Sequence, residues 1–207
     1  MSARRAWALV VLSIGCGHGA RQRALLTSPP STVRVAATAA LDEVRWIVIP
    51  ETTRFEVRGT NPFLGERRFH FRRFHASITG SREATFHAVI DTRSVEGPFS
   101  SLVRDRLLEA DRFPEATFDG MTTRTGAGDA CVVDGILTLH GIAKSLHFDG
   151  HVREELDLLS ISAIFDVPRS AFDLAFHDSR DRFLPDYVSV VLDIWARRKR
   201  VETVPLE

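Results

Sequence analysis

Apolar residues recur at every second position through much of residues 44–194 of this chain. In one such run, Phe55 and Val57 alternate with Arg54, Glu56 and Arg58. A two-residue period is that of a β-strand, because successive side chains point to opposite faces of a sheet. One dry and one wet face are typical of antiparallel sheets. The pattern therefore predicts antiparallel β-structure.

Turn-forming residues separate these runs, for example at Gly80, at Gly141, at residues 126–129 and at Pro185. Seven or eight strands at this spacing favour a barrel or a sandwich. Strands do not alternate with helices along the chain, and there is no dinucleotide-binding glycine fingerprint. The sequence therefore indicates an all-β domain.

One segment has a helical pattern instead. Ser100 and Ser101 precede apolar residues that are interleaved with charged ones, and Pro114 follows. Serine commonly caps a helix start, and proline prevents continuation. We expect a short helix over about residues 101–110, in a position to close one end of a barrel.

Composition excludes some functions. The 207 residues are 44% hydrophobic and 26% charged, with a formal net charge of zero. Such a chain can bury a core as one domain, and its charge does not favour nucleic acid as a partner. The aromatic residues include 14 Phe but one Tyr, so nearly all of them lack a polar group.

The first 16 residues are typical of a signal peptide. Arg4 and Arg5 precede the apolar residues 6–14, which are too few to span a bilayer core of ~30 Å as a helix. We therefore expect export to a periplasmic or other extracytoplasmic compartment. Cleavage after Ala20 is one alternative for the processing site.

Cys16 is a candidate lipidation site. The segment from Leu12 to Cys16 resembles a bacterial lipoprotein box, although its Leu lies four residues before the Cys and not three. A lipidated Cys16 would tether the protein to a membrane surface. Residues 17–40 contain Gly, Arg, Ser, Thr, Ala and the pair Pro29-Pro30, with little apolar periodicity. They are predicted to be a disordered tether ahead of a barrel domain at residues 41–200.

Five segments, in order, resemble those of the YceI-like polyisoprenoid-binding proteins. They are Phe-Arg-Arg-Phe-His-Ala-Ser-Ile at 71–78, Ile-Asp-Thr-Arg-Ser-Val at 90–95, Arg-Phe-Pro-Glu-Ala-Thr-Phe at 112–118, Gly-Ile-Leu-Thr-Leu-His-Gly-Ile-Ala-Lys at 135–144 and Pro-Arg-Ser-Ala-Phe at 168–172. The resemblance covers about residues 44–196. Arg58-Gly59 stands where the family usually has a His, and the segment before Phe113 is shorter than usual.

The resemblance implies an eight-stranded, antiparallel, lipocalin-like barrel with a deep apolar tunnel. It also implies an isoprenoid-type or other long apolar lipid as ligand, a periplasmic location, and no cofactor or catalytic residue. Eight strands leave an interior that is either filled by side chains or able to hold one slender ligand. The sequence leaves both alternatives open.

The predicted tunnel lining consists of apolar residues from the alternating runs and from the Phe-containing motifs. They are Phe55, Val57, Phe71, Phe74, Phe86, Ala88, Ile90, Phe113, Phe118, Leu137, Leu139, Phe148, Phe165, Phe172, Phe176, Val188, Val190 and Leu192.

Basic and aromatic residues interleave over residues 67–74. Arg72 and Arg73 are candidates to bind a diphosphate or acidic head group at the barrel mouth. The alternatives are the solvated outer face of a strand and a groove for single-stranded nucleic acid.

The sequence gives less support to a metal site or a hydrolytic active site than to a lipid-binding barrel. His147 and His151 share a strand face but are ~13 Å apart, which is too far to bind one metal ion directly. No Gly-x-Ser-x-Gly or His-Glu-x-x-His motif occurs. Because Ser, His and Asp are plentiful, an exported hydrolase with a scattered site is the alternative function, and a structural partner of a membrane complex is another. Cys131 is expected to be a small buried hydrophobe.

Overall fold

The computed structural model describes residues 22–27, 44–61, 65–80, 83–126 and 128–199. These residues are mostly in strands, with one short helix, which confirms the predicted fold class. The strands are β1 (Leu25–Thr27), β2 (Arg45–Val48), β3 (Arg54–Asn61), β4 (Gly65–Phe71), β5 (Phe74–Gly80), β6 (Glu83–Asp91), β7 (Val95–Glu96), β8 (Glu115–Arg124), β9 (Ala130–Leu139), β10 (Ile142–Glu155), β11 (Leu158–Pro168) and β12 (Tyr187–Arg198).

The strands form a closed, eight-stranded antiparallel barrel. β2 and β3 together make one long strand, and β4 and β5 make the next, because β3 pairs with β4 while β2 pairs with β5. The order then continues through β6, β8, β9, β10, β11 and β12. β12 closes the ring because it pairs with both β2 and β3.

The two ends of the barrel differ. We call the mouth the end that contains the connection of residues 91–115, the β9–β10 turn and the connection of residues 169–186. The β9–β10 turn has two residues, His140 and Gly141, both with positive φ, which is the geometry of a tight hairpin turn. The opposite end, the base, contains the β5–β6, β8–β9 and β10–β11 turns.

The predicted helix lies at the mouth but differs in its bounds. It consists of one α-helical turn, Ser100–Leu102, followed by a π-helical segment, Val103–Leu107. The predicted serine cap is wrong, because Phe99 occupies the N-cap position with a left-handed φ of 58° and no side-chain cap bond. The helix ends before residue 110 because Glu109 also has a positive φ, of 43°. Among the described residues, no helix is long and apolar enough to cross a membrane.

Part of the predicted tether is ordered against the barrel. β1 pairs antiparallel with β10, and Ala24 donates a backbone hydrogen bond to Asp166 of β11 at 3.0 Å. The Gln22 side chain bonds the carbonyl oxygens of both Asp149 and Ile164, at 2.8 and 3.3 Å. The segment of residues 22–27 therefore fills the gap where β10 and β11 separate. The signal peptide, Cys16 and the rest of the tether lie outside the described residues.

The base of the barrel is tightly packed. Trp46, Ile78, Val152, Leu159 and Ile194 are each at most 3% exposed. The Trp46 indole N–H donates to the Gly80 carbonyl at 2.8 Å, so the polar atom of this buried ring is satisfied. This end is closed by side chains.

Candidate functional site: the barrel interior

Strand register shows which side chains point inward, because directly opposed residues of an antiparallel pair lie on the same face. Leu192 is opposite Phe55 on one side, and Val190 is opposite Val57 on the same side. On its other side Val190 is opposite Phe165. Since Phe55 and Phe165 are buried in the core, Val57, Val190 and Leu192 also face the interior.

The opposite wall follows the same rule around Phe118. This residue is opposite Ala88 of β6 and Leu137 of β9. Its ring lies over two glycines, because a Cβ added at Gly120 or Gly135 would be 2.6 or 2.5 Å from ring carbons of Phe118. The absence of side chains at these positions gives the Phe118 ring its place.

Phenylalanine rings contact one another across the interior. Phe148 stacks on Phe165 with ring centroids 3.8 Å apart and an interplanar angle of 15°. Phe118 is 5.8 Å from Phe86 and 6.3 Å from Phe148, and Phe55 meets Phe74 edge-on at 4.7 Å. These rings form an apolar layer between the base and the mouth.

Towards the mouth the interior is not completely filled. Val190, Leu192 and Leu137 face inward from positions that are paired on both sides, yet each is only partly buried. An inward-facing side chain within a closed barrel retains accessible surface only where there is space in front of it. Val103 and Leu107 of the helix border the same core and are also partly buried.

The predicted lining residues fall into groups that differ in burial. Six are buried in the core, namely Phe55, Phe86, Ala88, Phe148, Phe165 and Phe172. Nine are partly buried and pack against this core, namely Phe71, Phe74, Ile90, Phe118, Leu137, Leu139, Val188, Val190 and Leu192.

The other three predicted residues lie outside this cluster. Val57 faces inward by register but is partly exposed. Phe113 packs on His140 at the β9–β10 turn, with ring centroids 4.3 Å apart. The Phe176 ring lies under the Arg180 guanidinium, 5.0 Å away, in the loop at the mouth.

Several lining residues were missed by the sequence analysis. Phe69 lies on the same face as Phe71, and Val103 and Leu107 come from the helix. Alternation of Phe69 with His70 and Phe71 is a signal that could have placed Phe69. Ala24 and Leu26 of the N-terminal segment also join the core, which the polar composition around them conceals.

The two predicted head-group arginines are on the outside of the barrel. Arg72 bonds Glu96 at 2.7 Å and Arg73 bonds Asp91 at 2.8 Å, with side chains 68% and 66% exposed. The bond from Arg72 holds the pKa of the Glu96 carboxyl below its usual value. Both guanidinium groups therefore have carboxylate partners within the protein.

Histidines also contact carboxylates on the outer surface. His87 bonds Asp119 at 2.5 Å and His147 bonds Asp134 at 2.7 Å. Among the described residues, no hydroxyl group bonds a histidine ring, and no three His, Cys, Asp or Glu side chains converge on a point suited to a metal ion. Cys131 is 2% exposed, and burial raises the pKa of its thiol.

Most of the barrel matches a known protein family. The model of the YceI-like domain matches residues 46–196. A search of curated proteins finds no match to this chain.

Solved structures share the fold. BcnA from Burkholderia cenocepacia is 18% identical with a TM-score of 0.65, over 72% of this chain and 98% of that one. A polyisoprenoid binding domain from Saccharophagus degradans is 15% identical with a TM-score of 0.61, over 75% and 98%. The YceI protein of Campylobacter jejuni is 18% identical with a TM-score of 0.56, over 64% and 85%.

Proposed function

This chain belongs to the YceI-like domain family, and from that premise we propose that it is an exported, non-catalytic carrier of one long apolar lipid. The lipid is of isoprenoid type or has a similarly slender chain, and it occupies the barrel interior on the side of the mouth. The similar domain from Saccharophagus degradans is described as polyisoprenoid binding, which supports this ligand class.

The observation that supports the proposal most directly is the gradient of burial along β9 and β12. On these strands Val133, Ile194 and Ala196, near the base, are at most 4% exposed. Leu137, Val190 and Leu192, nearer the mouth, are only partly buried. An apolar chain placed against them would be stabilised by about 25 cal/mol per Å² removed from water. The Phe148–Phe165 layer would form the floor of the site.

Export is proposed from the leader. Arg4 and Arg5 followed by the mostly apolar residues 6–14 form the pattern of a signal peptide. If Cys16 is lipidated, five residues lie between the anchor and Gln22, which contacts the barrel. Such a short connection would hold the barrel at a membrane surface, where its ligand is available.

Native mass spectrometry of the exported protein tests the proposal. We expect the protein to retain a lipid that organic extraction recovers chemically unchanged. The Val190→Phe variant should lose it, because the larger side chain fills the space in front of β12. Ile164→Phe is the matched control, since Ile164 is 54% exposed on the outer face of the neighbouring strand.

Circular dichroism and urea unfolding show whether both variants remain folded. Loss of the lipid from folded V190F but not from I164F supports a ligand in the barrel. Equal retention by both variants, or an extract that contains no lipid from the unsubstituted protein, contradicts it. The same spectra show whether the exported protein has the added mass that lipidation of Cys16 would give.

A further inference from the structure

Arg67 is placed differently from the other arginines of its hairpin. It lies on β4 opposite Gly59, and Phe69 opposite Val57 lies two residues further along the same strand. Arg67 therefore shares the inward face with Val57 and Phe69, at the end of the apolar wall nearest the mouth. Gly59 has no side chain, and Pro185 of the connection at the mouth packs in front of it, since a Cβ there would lie 3.5 Å from the Pro185 Cγ atom.

The Arg67 side chain is partly buried and its Nε atom is fully buried without a hydrogen-bond partner among the described residues. A guanidinium group cannot lose its charge in a protein, and a buried donor without a partner costs free energy. A bound anion stabilises such a guanidinium group, because it accepts a charge-assisted hydrogen bond from the donor that has no partner.

Neighbouring arginines have carboxylates within the protein. Arg58 bonds Glu56 at 2.5 Å and Arg68 bonds Glu66 at 2.7 Å, while Arg72 bonds Glu96. Arg169, at the mouth, donates to the carbonyls of Pro185 and Leu174 and lies 3.6 Å from Asp181. Among the described residues, none of these acidic groups pairs with Arg67.

We propose that Arg67 binds the anionic end of the lipid, a phosphate or a carboxylate group, at the mouth of the barrel. This inference rests on the proposed carrier function and adds a head-group preference to it. The apolar chain extends from Arg67 past Val57 and Phe69 towards Val190. Arg67 thereby takes the role that the sequence pattern assigned to Arg72 and Arg73.

Two probes with the same chain, hexadecyl phosphate and hexadecanol, separate the head group from the chain. We expect the unsubstituted protein to bind the phosphate about tenfold or more tightly than the alcohol in titration calorimetry. In Arg67→Met this preference should fall to about twofold or less, with the affinity for hexadecanol unchanged. Palmitate, tested alongside, shows whether a carboxylate is accepted as well as a phosphate.

Arg68→Met is the matched control, because Arg68 is the next residue on the strand and its side chain is 61% exposed on the outer face. This variant should keep the preference for the phosphate. A second readout is the urea midpoint without ligand. A purely structural role predicts a lower midpoint for R67M, whereas removal of a partly buried guanidinium whose Nε has no partner among the described residues predicts an equal or higher one.

The outcomes distinguish the two proposals. If neither probe binds, the carrier function fails. If both bind equally to the unsubstituted protein, or if R67M keeps the preference, the head-group role of Arg67 is wrong while the carrier function stands.

Discussion

Gly135 shows how closely one position can be constrained by its neighbours. A Cβ there would lie 2.5 Å from the Phe118 ring and 2.6 Å from the Asp119 carbonyl oxygen. The sequence suggested only that position 135 belongs to an alternating strand. The Phe118 ring fills the space where a side chain at position 135 would lie. Because Phe118 belongs to another strand, no local sequence pattern reveals this contact.

Gly135→Ala is expected to lower the free energy of unfolding by about 1–3 kcal/mol, because the methyl group displaces Phe118 and meets backbone that cannot move aside. Urea unfolding measures the loss. Gly128→Ala is the control, since nothing lies within 4 Å of a Cβ at that position. Equal midpoints for the two variants would show that Phe118 is not held over Gly135.

Cys131 gives a prediction that depends on pH. Burial raises the pKa of its thiol above the ordinary value, so the folded state keeps the proton to a higher pH than the unfolded state does. Its contribution to stability is therefore complete below the ordinary thiol pKa and is lost as pH rises from there through the raised value.

The measurement uses a Cys16→Ser background, in which Cys131 is the remaining thiol. A thiol reagent at pH 8 should react slowly with the folded protein and rapidly in denaturant. The urea midpoint should fall between pH 8 and 10 more than it does in the same background with Cys131→Val. Rapid labelling of the folded protein would contradict the burial of this side chain.

At the scale of elements, the N-terminal segment is the largest departure from expectation. Residues 17–40 have the composition of a tether, yet residues 22–27 complete the wall between β10 and β11. Three of these six residues are apolar, and Ala24 and Leu26 of them join the core. Backbone pairing and the Gln22 amide supply the polar contacts. The composition of a segment indicates how much apolar surface it can bury. It does not show whether an unpaired strand edge elsewhere in the barrel is available to pair with that segment.

Gln22→Ala should weaken the attachment of residues 22–27 to β10 and β11. The Gln22 amide donates to the Asp149 and Ile164 carbonyls and accepts from the Asp149 N–H at 3.1 Å. We expect a loss of about 1–2 kcal/mol in the free energy of unfolding, and faster hydrogen exchange at the Asp149 amide. Leu25→Ala is the control because its side chain is 65% exposed. Unchanged exchange at Asp149 would show that Gln22 does not join the two strands.

The sequence predicted a short helix at one end of the barrel, but it did not predict the bounds of the helix or its π-helical segment. Of its apolar residues, Val103, Leu107 and Leu108 pack on the core of the barrel. The buried Leu108 donates its N–H to the Val103 carbonyl at 2.8 Å, which is the hydrogen-bond pattern of a π-helix. Local residue preferences do not include that contact.

The whole molecule is a barrel whose closure joins distant parts of the chain. Trp46 lies opposite Arg198 and Val48 opposite Ala196, so nearly all of the domain is enclosed between its first and last paired residues. Ligand and fold are coupled in such a structure, because a chain held inside contacts several strands at once.

A bound lipid should therefore stabilise the whole barrel. At a free ligand concentration of about 100 times Kd, the free energy of unfolding should rise by about 2.7 kcal/mol. Thermal unfolding with and without hexadecyl phosphate measures this shift. The Val190→Phe variant should show little of it, whereas Ile164→Phe should respond as the unsubstituted protein does. A similar response in V190F would place the ligand outside the barrel.

The sequence by itself determined the antiparallel β-class, the helix at the mouth and, through ordered motifs, the YceI-like barrel. The β-class and the helix follow from periodicity and turn residues, which are local properties of the chain, whereas the barrel was implied by the resemblance of the ordered motifs. Only the tertiary structure decided which inward side chains remain accessible, that residues 22–27 join the wall, and that Arg72 and Arg73 have carboxylate partners while Arg67 has none among the described residues. The physical reason is that burial and charge pairing depend on side chains from distant strands, whose register is set only when the barrel closes.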